Sequence, residues 1–408
     1  MDHQGKKLTL ISQYFYPEMI STGHLLTELL QQLVTKGMRV SVICAQPTYY
    51  STEKVDSHIT FKGISITRTP NAQYDKNSIK GKLLNSISFF ISAVLMACAQ
   101  KQGGVILVVT NPPFLGLLGP IIKSLKKRPF LLIVHDLYPD ILMKMGYLRP
   151  HSLTVQLWHA LNQWIFRKAH FIVTLGRDMQ KALQDKLPNT ERPKVKFIPN
   201  WADPFVVRPV DTDENFFLKE LGFGNKFIVQ YSGNMGLTHD METIIKAAWH
   251  LIRDESIQFL LIGGGGKLKK IKDMARYYKL QNVTFLPYQP RENLKYSLSA
   301  AHVSLIALES SVTGLSVPSK LYGIMASGRP IVAIVPENSE VALTLREFKC
   351  GLITTPKDDL ALAETISWLK VNESARETMG KQAYKAFLEN FTVQNCADKY
   401  SELLKKMI

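Results

Sequence analysis

Phe227-Ile228-Val229-Gln230-Tyr231-Ser232-Gly233-Asn234-Met235-Gly236-Leu237-Thr238-His239-Asp240 joins an apolar run to a glycine-punctuated turn. Phe227 to Tyr231 is a short, mainly apolar run that reads as a buried strand, Gly233 and Gly236 punctuate the turn, and an amphipathic helix follows Asp240. A strand that passes through glycines into a helix opens a β-α-β unit. The glycines let a ligand approach the backbone, and the free N–H groups of the first helical turn suit a phosphate. Asp240 and Glu242 also satisfy the helix dipole with no ligand at all, so this turn alone leaves both readings open.

The same rhythm extends in both directions. Downstream, strands are expected at Phe259–Ile262, Val283–Phe285, Val303–Ile306 and Ile331–Ile334; upstream, at Leu8–Ser12, Val40–Cys44, Val105–Thr110, Phe130–Val134 and Phe171–Thr174. Helical stretches separate them, so the fold class is α/β, with doubly wound parallel sheets covered on both faces. A helix near Gly23–Lys36 places Leu25, Leu26, Leu29, Leu30, Leu33 and Val34 on one side and stops at Gly37. At 408 residues the chain is too long for one core. The Pro-interrupted stretch near 199–212 marks a linker between a first domain, 1–200, and a second, 201–392. A last helix within 393–408 is expected to return to the first domain.

With 46% hydrophobic and 21% charged residues the chain is an ordinary globular protein. Its four cysteines, Cys44, Cys98, Cys350 and Cys396, form no C-x-x-C pair, which points away from a zinc module or disulfide framework and toward the cytoplasm. Met1 to Lys7 run into the first strand with no export leader in view. Residues 1–200 hold 25 Lys and Arg against 11 Asp and Glu, an excess of 14, whereas residues 201–408 hold 25 against 23. That field favours an anionic partner. Nucleic acid is not expected, since no helix-turn-helix, zinc-finger or RNA-sheet signature accompanies the charge. Leu83 to Gln100 is uncharged and bracketed by Lys82 and Lys101, which leaves a core helix, a membrane-surface helix and a membrane span as readings. The first two fit better, because Asn85, Ser86, Ser88 and Ser92 interrupt it.

Three further elements could carry chemistry. Gly263 to Gly266, followed by Lys267, leave a strand, and four glycines in a row are better explained by close backbone approach than by turning alone. Pro318-Ser319-Lys320-Leu321 begins a short helix that Ser319 can cap, and Lys320 in its first turn opposes the helix dipole unless an anion is nearby. In the first half, His135-Asp136-Leu137-Tyr138-Pro139 emerges from the carboxyl end of Phe130–Val134, where parallel sheets bind ligands. Asp136 could orient the His135 ring. Glu18, Thr22 and Gly23 join the first strand to its helix at the same sheet edge.

The order and spacing of the Gly23 loop, His135 to Pro139, Ile198-Pro199-Asn200-Trp201-Ala202-Asp203, Tyr231 to Gly236, Pro318 to Leu321 and Ala326-Ser327-Gly328-Arg329-Pro330 resemble glycosyltransferase family 4. The similarity is to its bacterial branch that builds exopolysaccharides such as colanic acid, and it spans nearly the whole chain. The resemblance implies the GT-B fold, two Rossmann-like domains facing each other across a cleft, and a retaining transfer from a UDP- or GDP-sugar without metal or other cofactor. It implies a lipid-linked or glycan acceptor and a peripheral position on the inner face of an anionic membrane. The resemblance matches His135 to the family's N-domain histidine near the donor sugar, Gly23 to its acceptor-side loop and Gly233 to Gly236 to its phosphate loop, and places Ser319 and Lys320 at the diphosphate. Joined to the residue readings above, the expected catalytic pair is His135 and Asp136; the donor is expected at Gly233, Asn234, Gly236, His239, Gly264, Lys267, Tyr288, Ser319, Lys320 and Leu321; and Glu18, Thr22 and Gly23 form the acceptor-side loop. The family's E-x7-E acids fall here on Leu315 and Gly323, and its loop Arg and Lys on Asn234 and His239. Lys320 and Lys267 are expected to take over the phosphate charge, the alternative being a non-catalytic nucleotide- or glycan-binding relative that acts as an assembly subunit.

Overall fold

The computed structural model describes residues 6–18, 21–47, 55–74, 79–100, 103–211 and 214–407. Most of the Met1–Lys7 start, and Lys101, lie outside them. The chain divides into two compact units, Met1–Pro199 with Val393–Ile408, and Asn200–Thr392.

The first unit is built on an eight-stranded sheet of β1 (Lys7–Ile11), β2 (Arg39–Ala45), β3 (His58–Phe61), β4 (Ile64–Thr69), β5 (Val105–Val109), β6 (Phe130–Val134), β7 (Phe171–Thr174) and β8 (Val195–Phe197), in the order 3-4-2-1-5-6-7-8. All neighbours are parallel except β3 and β4. Every residue of β5 and β6 is buried, because helices cover both faces and no strand side faces water. Helix Ser21–Thr35 buries Leu25, Leu26, Leu29, Leu30 and Leu33. The terminal helix Val393–Lys405 packs along it through Cys396, Ala397, Tyr400 and Leu404, and a Lys36–Asp398 ion pair of 2.5 Å ties the two.

The second unit carries six parallel strands: β9 (Phe227–Asn234), β10 (Ile257–Gly264), β11 (Val283–Leu286), β12 (Val303–Ala307), β13 (Ile331–Ile334) and β14 (Gly351–Thr354), in the order 11-10-9-12-13-14. Alternate residues feed two cores. Val229, Tyr231, Phe259 and Leu261 join one with Met241, Ile244 and Ile245, while Ile228, Leu260 and Ile262 join another with Phe217 and Leu218. Both sheets change winding direction once, between β1 and β5 and between β9 and β12, and such switch points open a crevice at the strand ends.

Among the described residues no helix is long and apolar enough to cross a membrane, which removes the spanning reading of the Leu83 segment.

Candidate active site

In the second unit the switch lies between β9 and β12, and the residues at its edge come from four loops. β9 and β10 pair through their last residues, Ile262 with Ser232, Gly263 with Gly233 and Gly264 with Asn234, so both strands run farther than their apolar cores. The loops beyond stay bonded: Met235 N donates to Gly264 O at 2.6 Å, and Lys267 N to Met235 O at 2.9 Å. This explains the glycine run. A Cβ at Gly263 would sit 2.1 Å from Gly233 O, and one at Gly265 would sit 2.4 Å from Asn234 Oδ1, both at positive φ. The close backbone approach inferred from sequence is therefore, at these two positions, an approach of one loop to another.

Lys320 begins helix Lys320–Ala326 and reaches back over the β9 end. Its Nζ lies 3.6 Å from the centroid of the Tyr231 ring and close to the Gly233 backbone, buried and without a hydrogen-bond partner. Burial drives its pKa well below the ordinary lysine value. Tyr231 holds its place by donating from Oη to Asn234 O at 2.6 Å. His239 meets the same ring edge-on at 6.3 Å between centroids. Its pKa falls to about 3, through burial first and then the charges of Lys320 and Lys267, so the ring is neutral. Tyr288 is exposed above the glycines, its Oη 3.4 Å from Gly264 O.

Lys267 has a different setting. Its Nζ donates to His239 O at 2.8 Å, Glu242 Oε2 at 2.8 Å and Glu309 Oε1 at 2.7 Å. Burial alone would lower its pKa, but these two carboxylates outweigh it and hold the ammonium above the ordinary value. Ligand oxygens of Asp240, Glu242 and Glu309 lie within 4.8 Å of one another, the spacing of a cation site, and the Lys267 ammonium bonds two of the three. The charge expected from Lys267 toward a phosphate is thus spent on Glu242 and Glu309.

In the first unit the loops after β1, β5 and β6 meet. Thr110 Oγ1 accepts from His135 N at 3.0 Å and donates to Asp136 O at 3.4 Å, while Asn111 Nδ2 donates to Thr22 Oγ1 at 3.5 Å. His135 Nε2 is buried without a hydrogen-bond partner, and burial pushes the ring down to about 4. The Asp136 charge is felt at Tyr138, whose phenol is pushed up by burial and then by that carboxylate. Gly23 packs against the turn before it, where a Cβ would lie 2.8 Å from the backbone oxygen of the buried Glu18.

Two family descriptions match the chain in tandem: a glycosyl transferase 4-like domain over residues 23–201, and glycosyl transferases group 1 over residues 213–386. The chain belongs to glycosyltransferase family 4. The transferase is similar to the glycosyltransferase WbjE of Pseudomonas aeruginosa, 25% identical over 98% of both chains. It is also similar to WcaI of Escherichia coli K12, named for colanic acid biosynthesis, 25% identical over 84% of this chain and 86% of that one. Among solved structures, a sucrose-phosphate synthase of Thermosynechococcus elongatus superposes with a TM-score of 0.80 at 17% identity, covering 98% of this chain and 99% of the other. HepE of Anabaena, in complex with UDP and glucose, gives 0.74 at 16% identity with the same coverage. The fold is GT-B, with two parallel-sheet α/β domains.

Against the sequence expectation, the transferase differs in three details. Ser319 makes no side-chain cap, since its backbone is already helical. Asp240 caps helix Met241–His250, accepting from Thr243 N at 3.3 Å, and also accepts from Lys357 N at 2.8 Å, so that helix end is satisfied internally. The Leu321 side chain is fully buried and anchors the helix that carries Lys320. Tyr231 and Glu309 were missed. The first stands in the quoted stretch as an aromatic at a strand end, a readable signal; the second becomes meaningful only beside Lys267.

Proposed function

We propose that this transferase moves a sugar, with retention, from a nucleotide-diphosphate donor to a lipid-linked or growing glycan acceptor in cell-surface polysaccharide assembly. One observation carries the reading. Lys320 Nζ is buried at the switch point between β9 and β12, over Tyr231 and beside Gly233, with no acceptor of its own. A diphosphate brings the oxygens that this cation lacks, and the negative charge that grows on it as the glycosyl bond breaks is the charge a preorganised cation stabilises best. The neutral His239 ring, the Gly233 to Gly236 backbone, Gly264 and Tyr288 complete the donor side. In the first unit the buried, neutral His135 is suited to hydrogen bonding with a sugar hydroxyl, and Asp136 to steadying its loop. UDP in the HepE complex and the polysaccharide named for WcaI support the donor and product classes.

The test is transfer from a panel of labelled UDP- and GDP-sugars to membrane extract, with and without EDTA. The proposal expects a labelled lipid or polymer product with one donor, undiminished by EDTA. UDP or GDP binding with no transfer from any sugar would leave a binding subunit instead, and transfer abolished by EDTA would replace Lys320 with a metal in the charge-stabilising role.

A further inference from the structure

Lys267 grips one turn at two points. Its backbone N donates to Met235 O at 2.9 Å and its Nζ to His239 O at 2.8 Å, so residues 236–238 are bracketed by a single buried lysine. The same Nζ reaches Glu242 on helix Met241–His250 at 2.8 Å and Glu309, just after β12, at 2.7 Å. Glu309 closes the ring, since its own backbone N donates to Thr238 O at 2.9 Å. Within the turn His239 N donates to Gly236 O at 3.1 Å. Segments that follow β9, β10 and β12 thus converge on one ammonium.

Peptide geometry says what this does to the turn. In a planar trans peptide the N–H of one residue points away from the carbonyl of the residue before it. The Met235 carbonyl, held by Lys267 N, therefore sends the Gly236 N–H the other way, and the Gly236 carbonyl, held by His239 N, fixes the Leu237 N–H. Carbonyl oxygens repel an anion and N–H groups attract it, so a turn with its carbonyls tied off is prepared for phosphate before phosphate arrives. An untied turn spends part of the binding energy on being ordered. Stability alone explains the cluster poorly, because a buried ion pair adds little over apolar residues of the same volume. We propose that Lys267 is a positioning residue for the donor: together with Glu309 it clamps turn 235–239 in the arrangement that receives the diphosphate, and it touches no phosphate itself. This role rests on the donor reading above. It also gives Glu309 a part in the site, as the anchor that keeps the ammonium on the protein.

The experiment is calorimetric titration of the full chain with UDP and GDP for the parent, Lys267→Ala, Glu309→Ala and the double variant, with amide hydrogen exchange of the ligand-free proteins alongside. Leu369→Ala controls for lost stability alone. Leu369 lies at the far end of β9 from Gly233, where Arg376 Nη1 donates to its carbonyl at 2.6 Å and the guanidinium covers the Phe227 ring. For whichever nucleotide the parent binds more tightly, Lys267→Ala is expected to lose about tenfold in affinity and Glu309→Ala at least about threefold, the double variant no more than Lys267→Ala, and Leu369→Ala less than about twofold. Amides of 235–240 and of Glu309 should exchange faster in Lys267→Ala while those of β13 do not. A direct contact between Lys267 and phosphate predicts the opposite for Glu309, since deleting its carboxylate frees the ammonium for the donor. Glu309→Ala that binds as tightly as the parent or more tightly would therefore overturn the proposal, as would an equal loss of affinity in Leu369→Ala. Nucleotide binding by the parent with exchange at 235–240 unmoved in Lys267→Ala would overturn the clamp and leave the donor reading standing. A parent chain that binds neither nucleotide, in which Lys267→Ala still loosens the turn, would overturn the donor reading and the positioning role with it.

Discussion

Replacing Lys320 with Met should weaken donor binding and strengthen the empty protein, and the opposition of signs is the informative part. In the ligand-free chain the ammonium has lost water and recovers only the Tyr231 ring at 3.6 Å. That attraction is worth about 0.5–2 kcal/mol, against about 1–3 kcal/mol or more for a charged group buried unsatisfied. Met keeps the apolar stem and makes a favourable sulfur contact with the ring. A gain of about 1 kcal/mol follows, or roughly 2–4 °C in melting temperature for a unit the size of Asn200–Thr392. The gain has a pH signature. Since the folded pKa lies below 10.5, the unfolded chain holds the extra proton between those two values. The penalty on the parent is therefore complete below the folded pKa and fades as pH rises toward 10.5, and the Met variant's advantage fades with it. With UDP bound, the parent makes a charge-assisted bond worth about 1.5–3 kcal/mol that Met cannot, so Kd should rise roughly 10- to 150-fold. Calorimetric titration with UDP and melting curves from pH 7 to 10 read both effects. A variant that melts lower than the parent and binds UDP within threefold of it would show that Lys320 is neither an unsatisfied charge in the empty protein nor a donor contact.

Three further outcomes are expected. Gly263→Ala places a methyl 2.1 Å from Gly233 O at a φ of +130°, and should cost more than about 3 kcal/mol in urea unfolding, whereas Gly266→Ala, whose nearest neighbour is 3.8 Å away, should stay within about 0.5 kcal/mol. Lys267→Ala leaves Glu309 without this cation and Glu242 with Lys270 alone, and should cost about 1–3 kcal/mol; because the carboxylates of Asp240, Glu242 and Glu309 are spaced for a cation, millimolar calcium should restore part of the melting temperature in the variant and not in the parent. His135, His239 and His302 have pKa values pushed down to about 4, 3 and 4, with burial the leading cause, so each is neutral when folded and binds its proton first when unfolded. Their contribution is complete above pH 6.5 and is lost as pH falls from there toward 4, at up to about 1.4 kcal/mol per pH unit for each. His302→Asn, which keeps an acceptor for Ile228 N, should flatten that slope in denaturation curves at pH 7 and 4.5, and an unchanged slope would count against the assignment.

What could be read from sequence followed from what side chains must do alone, and what could not followed from pairing. β5 and β6 were legible because strands buried on both faces must be apolar at every residue. The β3–β4 hairpin was not: its β3 residues are half-buried or exposed, and the Lys62-Gly63 turn between them is short. β9 and β10 run past the apolar cores visible in the sequence because Ser232-Gly233-Asn234 and Gly263-Gly264 extend the sheet by backbone pairing, which leaves no hydrophobic mark. The site divides along the same line. Lys320 could be singled out because a cation in a first helical turn is locally unfavourable, and the structure supplies the missing half of that argument in a buried Nζ with no acceptor. Lys267 could not be judged, since Glu309 is 42 residues away in the chain, and only the fold spends its charge. Leu83 to Leu95 shows the same limit in reverse: Phe89, Ala93 and Ala97 point inward and Leu84, Ile87, Ile91 and Leu95 outward, so a period that is apolar all round names no face. There the polar residues decide, because Asn85, Ser86 and Ser88 found their partners on the protein, on the side away from Leu84, Ile87, Ile91 and Leu95.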